Sequence, residues 1–99
     1  MPTAENGARM VAKSVRIGGR VQGVSFRVWT KGEAEKLSLR GWVCNEPDGS
    51  VSALIAGPEA SVAAMLERFR SGPRGAVVVS VAVQDADASG VPAGFRITG

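Results

Sequence analysis

One short segment has the residue types and spacing to bind an anion. Residues 19–27 read Gly-Arg-Val-Gln-Gly-Val-Ser-Phe-Arg, between a predicted strand and a predicted helix. Glycines let a chain curl around an anion, and the first N–H groups of a helix lack partners within the helix and carry its partial positive charge. Arg27, in the first turn, can pair with two phosphate oxygens at any physiological pH. The segment therefore predicts a phosphate-binding loop.

Other phosphate chemistries do not fit the chain. A Walker A loop needs Lys and Ser or Thr after its second glycine, where this sequence has Val24 and Ser25, and the three spaced glycines of a dinucleotide fingerprint are absent. A cysteine phosphatase needs an arginine six positions after its nucleophile, and Ser50 stands six after Cys44. The sequence has one cysteine and no histidine, which excludes soft-ligand metal clusters and imidazole general bases. We therefore expect chemistry without a metal or other cofactor.

Length and composition predict one small globular domain. The 99 residues are 44% hydrophobic and 21% charged, enough apolar material for a single core. No apolar run approaches the roughly 20 residues that cross a bilayer, and residues 1–12 lack the apolar run of a secretory signal, so we expect a cytoplasmic protein without a membrane partner. A net charge of +3 favours anionic ligands but is too small to indicate nucleic acid.

Periodicity predicts the elements that would hold the loop. Residues 1–12 read as a flexible tail, and residues 13–99 as the domain. Strands are predicted from Lys13 to Ile17 and over 39–45, 50–55, 77–83 and 95–98, with helices over 25–37 and from Pro58 to about 71. The order β-α-β-β-α-β plus a short terminal strand is the split β-α-β, or ferredoxin-like, α+β arrangement, with two helices on one face of an antiparallel sheet.

The same patterns assign side chains to the core. The predicted buried stripes are Phe26, Trp29, Thr30, Ala34 and Leu37 on the first helix and Val62, Met65, Leu66 and Phe69 on the second. Trp42 is expected in or near the core, and Cys44 as a small core residue facing away from the loop. Ser25 and Thr30 are expected to cap or to lie on the surface, and Glu33 within the first stripe has no evident role.

Two separate motifs and the turns between them resemble the acylphosphatase family, over residues 13–98. They read Gly19-x-Val21-Gln22-Gly23-Val24-x-Phe26-Arg27, then Leu37-x-Leu39-x-Gly41-Trp42-Val43-x-Asn45, then Asp48-Gly49-x-Val51 and Gly72-Pro73. The resemblance implies a ferredoxin-like fold and hydrolysis of a carboxyl-phosphate bond to carboxylate and inorganic phosphate, without metal. Ser38 stands where many members have glycine, and Cys44 where a polar or charged residue is frequent.

The resemblance also implies a role for particular residues. Arg27 would bind the phosphoryl group, and Asn45 would position the attacking water. The backbone amides that would form the phosphate cradle are those of Gln22, Gly23, Val24, Ser25, Phe26 and Arg27. Such a reaction needs no general acid, because the leaving carboxylate has a conjugate acid with a pKa near that of a Glu side chain, about 4.3.

The sequence is also compatible with simpler interpretations of these residues and with another function. Arg27 is also compatible with an ordinary solvated helix arginine, and Asn45 with a turn residue before Pro47. A noncatalytic ferredoxin-like module for RNA or a protein partner is the alternative function. The RNA version would need aromatic residues on the central strands, which Val15 and residues 77–83 do not supply. We therefore expect a small acyl phosphate as substrate and a monomer that binds no nucleic acid.

Overall fold

A computed structural model describes residues 9–99. Within this range, two helices and five strands follow one another along the chain. They are β1 (Met10–Arg20), α1 (Phe26–Lys36), β2 (Arg40–Asn45), β3 (Val51–Pro58), α2 (Glu59–Ser71), β4 (Val77–Ala86) and β5 (Phe95–Ile97). Within residues 9–99 no helix is both long and apolar enough to cross a membrane.

The five strands form one sheet in the order β4-β1-β3-β2-β5. β1 pairs antiparallel with β3 and β4, and β2 pairs antiparallel with β3, so the first four strands have the predicted arrangement. The short β5 instead runs parallel to β2, which makes the sheet mixed. Residues 87–94 carry the chain from the β4 edge to the β2 edge, and Val91 packs on Ala12 and Ala56 on the way. The ferredoxin-like α+β fold is thereby confirmed.

The core lies between the two helices and one face of the sheet. Alternate strand residues such as Ile17, Val43 and Ile55 are fully buried there, as the period of a strand requires. The Phe26 and Phe69 rings stack with centroids 6.2 Å apart, joining α1 to α2. Trp29 closes this cluster edge-on, 5.3 Å from Phe26. The predicted helical stripes are confirmed, with Trp29, Leu37 and Leu66 half-buried at their margins.

The first strand begins earlier than the sequence analysis placed it. β1 starts at Met10 rather than Lys13, and residues 10–12 pair with the end of β3. Ala12 is buried because Val91 of the 87–94 connection covers it, a contact that local periodicity does not reveal. Residues 10–12, which were predicted as part of the tail, therefore belong to the domain, and residues 1–8 lie outside the described residues.

Three side chains occupy different surroundings from those predicted. Val43 points into the core, so its neighbours Trp42 and Cys44 face the opposite side of the sheet, where both are half-buried and neither belongs to the core. Thr30 is completely buried on α1, as its place in the helical stripe predicted, and the expectation that it caps the helix or lies on the surface was wrong. Glu33, which had no evident role, pairs with Arg68 of α2 at 2.9 Å and so links the two helices.

Candidate active site

The loop between β1 and α1 has a backbone that favours anion binding. Gly23 has φ 77°, and Ser25 at the helix N-cap has φ 62°, both in the left-handed region. Left-handed residues interspersed along a turn direct successive N–H groups into one concavity. The Ser25 carbonyl accepts the first helical hydrogen bond from Trp29 N at 3.0 Å, but its hydroxyl makes no capping bond, contrary to the expected capping role.

Backbone donors of this loop are available to a ligand. Within residues 9–99, no backbone or side-chain group accepts a hydrogen bond from the N–H groups of residues 22–28. The first turn of α1 carries no acidic side chain to compete for them. Unpaired amides at the positive end of a helix dipole form a site for phosphate.

The loop encloses a cavity of about 290 Å³ that brings the two predicted catalytic residues together. It is lined by Val21, Gln22, Gly23, Ser25, Phe26, Arg27, Val28 and Asn45. Val24 is absent from this lining because its side chain packs against the core. Val21 and Val28 were not anticipated, and as apolar residues they carry no sequence signal for a site. A larger depression of about 610 Å³, between β1, α2 and β4, contains none of the predicted site residues.

Arg27 lies on the first turn of α1 and is half-buried. Its Nη1 donates a hydrogen bond to the carbonyl oxygen of Gly99 at 2.7 Å. The backbone N–H of Asn45 donates to the same oxygen at 2.9 Å. The guanidinium and the end of β2 therefore converge on one oxygen atom, which shows that donors from α1 and β2 can share an oxygen ligand.

Asn45 ends β2 and is one of the residues that line the cavity. Its Oδ1 is buried and has no hydrogen-bond partner within the described part of the chain. A carboxamide oxygen can accept hydrogen bonds but cannot take a proton at neutral pH. The group can thus hold a water molecule by one of its protons without acting as a base.

The turn after Asn45 is held by several polar contacts. The Asp48 carboxylate accepts hydrogen bonds from the backbone N–H and hydroxyl of Ser50 at 2.9 and 2.6 Å, which lower the pKa of Asp48. Burial and the neighbouring Glu46 carboxylate raise the pKa of the Cys44 thiol.

Among residues 9–99 no three carboxylate or thiol side chains cluster closely enough to hold a metal ion.

The fold and this loop together define a ferredoxin-like domain with a candidate anion-binding loop, and the comparisons identify its family. The acylphosphatase family model matches residues 13–97. An acylphosphatase from Rhizobium meliloti is 61% identical over 88% of this chain and 92% of its own length, and one from Sinorhizobium medicae is 62% identical over 88% and 93%. The chain belongs to the acylphosphatase family.

Solved structures agree with this assignment. An acylphosphatase from Coxiella burnetii superposes with a TM-score of 0.86 at 30% identity, covering 99% of this chain and all of that one. An acylphosphatase from Bacillus subtilis gives the same TM-score at 33% identity, covering 90% and 99%. The family, the fold and the enzymatic activity predicted from the two motifs are confirmed. The roles of individual residues stay predictions.

Proposed function

We propose that this enzyme hydrolyses small acyl phosphates by holding the phosphoryl group between Arg27 and the amides of residues 22–27, while Asn45 orients the attacking water. One observation carries the proposal: Arg27, Asn45 and the loop whose amides have no acceptor within residues 9–99 line the same 290 Å³ cavity. Donors for the phosphoryl oxygens and an acceptor for the water are the two groups that such a reaction requires.

The phosphoryl group is bound by fixed donors. Phosphoryl transfer places charge on three equatorial oxygens, and catalysis consists mainly of positioning the group and stabilising that charge. Amides held by the backbone need no reorganisation during the reaction, and arginine offers five N–H donors. The bond from Arg27 to Gly99 uses only one of the guanidinium nitrogens, so donors remain for the substrate.

Hydrolysis then follows from the position of Asn45. The water donates a hydrogen bond to Asn45 Oδ1, and its oxygen attacks phosphorus opposite the acyl oxygen. A new P–O bond forms as the bond to the acyl oxygen breaks, and a phosphoryl oxygen accepts the proton that the water loses. The carboxylate departs unprotonated because its conjugate acid has a pKa near 4. No histidine, metal or general acid is needed.

Phosphate release in the presence of a chelator tests this proposal. The wild-type protein is expected to release phosphate from benzoyl phosphate and not from an alkyl phosphate, whose leaving group would need protonation. Arg27→Ala is expected to lose at least about 100-fold in kcat/KM, the usual cost of removing one essential donor. Arg70→Ala, on an exposed residue in the last turn of α2, is the matched control and is expected to stay within about 2-fold. Full activity of Arg27→Ala would refute the site.

We further propose that the enzyme works in the cytoplasm as a monomer and binds no nucleic acid. Two features support the last of these three proposals. The net charge of +3 is small, and Trp42, the one tryptophan on the described strands, offers too little aromatic surface for base stacking. The noncatalytic alternative receives no support, since the reported relatives are enzymes. Equilibrium sedimentation and a salt-dependent RNA-binding assay test these two expectations.

A further inference from the structure

The Gln22 side chain reaches away from the anion site and holds the turn that follows Asn45. Its Nε2 donates to the carbonyl oxygen of Glu46 and to that of Ser50, each at 2.9 Å. A carboxamide nitrogen has two N–H groups, so both are used. The remaining Gln22 Oε1 is an acceptor and cannot bind an anion. The side chain of Gln22 is therefore not available as a phosphate ligand, unlike its backbone N–H.

The two acceptors of Gln22 lie on both sides of the turn. Glu46 directly follows Asn45, and Ser50 directly precedes Val51, the residue that pairs with Asn45 across the hairpin. Within the turn, Glu46 N donates to Ser50 O at 2.9 Å and Gly49 N donates to Glu46 O at 3.1 Å. One carboxamide thus ties the residue at the start of the anion loop to both strand ends beside Asn45.

We propose that the Gln22 side chain is a positioning residue that fixes the separation between the phosphoryl cradle and the Asn45 carboxamide. This inference rests on the proposed roles of the cradle and of Asn45. In-line attack requires the water and the phosphorus to be placed precisely, and an error near 1 Å costs on the order of 100-fold in rate. Loss of the tie changes the distance between two groups without removing either, so it lowers kcat more than it weakens phosphate binding.

The chain offers a matched control for this tie. Arg16 Nη1 contacts Asp48 Oδ2 and Ser50 Oγ, each at 3.2 Å, and so holds the same turn through two polar contacts. These contacts come from β1 and reach side chains of the turn, not the loop of residues 21–25. Arg16→Met therefore removes two contacts from the turn but leaves the loop-to-turn connection intact.

The experiment compares Gln22→Met with Arg16→Met in the full chain, with benzoyl phosphate as substrate and inorganic phosphate as competitive inhibitor. Methionine keeps the length of the side chain and removes its donors. Gln22→Met is expected to lower kcat by roughly 10- to 100-fold while the phosphate inhibition constant changes less than about 3-fold. Arg16→Met is expected to keep kcat within about 3-fold. Equal losses of kcat in both variants would reduce the Gln22 contacts to general support of the turn and overturn the inference.

A measurement independent of activity covers the case in which Gln22→Met does not fold. In the wild-type protein, the side-chain NH₂ protons of Gln22 are expected to exchange with solvent more slowly than those of Gln84, which is exposed. Equal exchange rates of the two side-chain NH₂ groups would overturn the inference that Gln22 ties the loop to the turn. If the wild-type protein hydrolyses no acyl phosphate, the proposed function fails instead, whereas an active Gln22→Met enzyme with unchanged kcat refutes only the positioning role.

Discussion

Asn45 and Thr30 each bury a side-chain oxygen that has no hydrogen-bond partner within residues 9–99. Leaving such a group unpaired costs about 1–3 kcal/mol. Asn45 lines the cavity, and the proposed water would donate a hydrogen bond to this oxygen and remove the cost. Thr30 is not among the residues that line the cavity, and it is fully buried on the core side of α1. An unpaired buried oxygen therefore has a proposed function in Asn45 and none in Thr30.

Replacing Thr30 with valine is expected to stabilise the protein by about 1 kcal/mol, because the variant keeps the shape of the side chain and removes an unpaired hydroxyl. Helix propensities of the two residues are similar, so α1 itself is not weakened. Urea denaturation measures the change, and kcat is expected to stay the same. Thr30→Ala is the control and is expected to destabilise, since it also removes a buried methyl group. A less stable Thr30→Val would mean that the hydroxyl has a partner.

The connection from α1 to β2 contains a strained residue. Ser38 has φ 59°, a left-handed conformation that costs a non-glycine residue about 1 kcal/mol. The resemblance places glycine at this position in many members of the family, and glycine adopts a left-handed conformation without this cost. Serine here therefore carries a strain that glycine would not.

Ser38→Gly is expected to raise the free energy of unfolding by about 0.5 kcal/mol, since relief of the strain exceeds the extra entropy of glycine in the unfolded chain. Ser61→Gly, within α2, is the control and is expected to lower it by a similar amount because its backbone is helical. Thermal or urea unfolding of the three proteins gives both numbers. Destabilisation by both substitutions would contradict the strain at Ser38.

Local patterns predicted the order and type of the elements because each depends on nearby residues. The α1 and α2 stripes follow a helical period, and Pro58 and Gly72 lie at the two ends of α2, next to its first and last residues. Partners distant in sequence were not predictable in this way. The start of β1 at Met10 depends on Val91, and the parallel pairing of β5 depends on how residues 87–94 return to the β2 edge. Trp42 was misplaced because its prediction followed residue type, whereas the alternation of β2 turns Val43 and not Trp42 toward the core.

In the candidate site, too, only the residues with a local sequence signal could be predicted from the sequence pattern. Arg27 and the glycines of the loop carry a local signal for anion binding, whereas Asn45 was found only through a resemblance, since one asparagine before a turn is ordinary. The structure places both on one cavity. The contacts of Gln22 with Glu46 and Ser50 span 24 and 28 residues and depend on the tertiary fold, so no local pattern could indicate them.

The absence of histidine from the 99 residues has a consequence for how the rate depends on pH. Catalysis by positioned donors and an oriented water requires no protein group that titrates near neutrality. The pKa of the Cys44 thiol is raised and the pKa of the Asp48 carboxyl is lowered, so both shifts move titration further from neutrality. We therefore expect kcat at saturating benzoyl phosphate to be flat between about pH 6 and pH 8. A bell-shaped profile centred near pH 7 would indicate a general acid or base in the protein.

Titration of isotope-labelled protein with inorganic phosphate, followed by NMR, separates phosphate binding by the loop and Arg27 from water positioning by Asn45. Phosphate is expected to shift the backbone amides of residues 22–28 in the wild-type protein and, with similar affinity, in Asn45→Ala, whose kcat is nevertheless lowered at least about 100-fold. The shifts are expected to disappear in Arg27→Ala. Shifts that fall outside this loop, or that persist unchanged without the Arg27 guanidinium, would contradict the account.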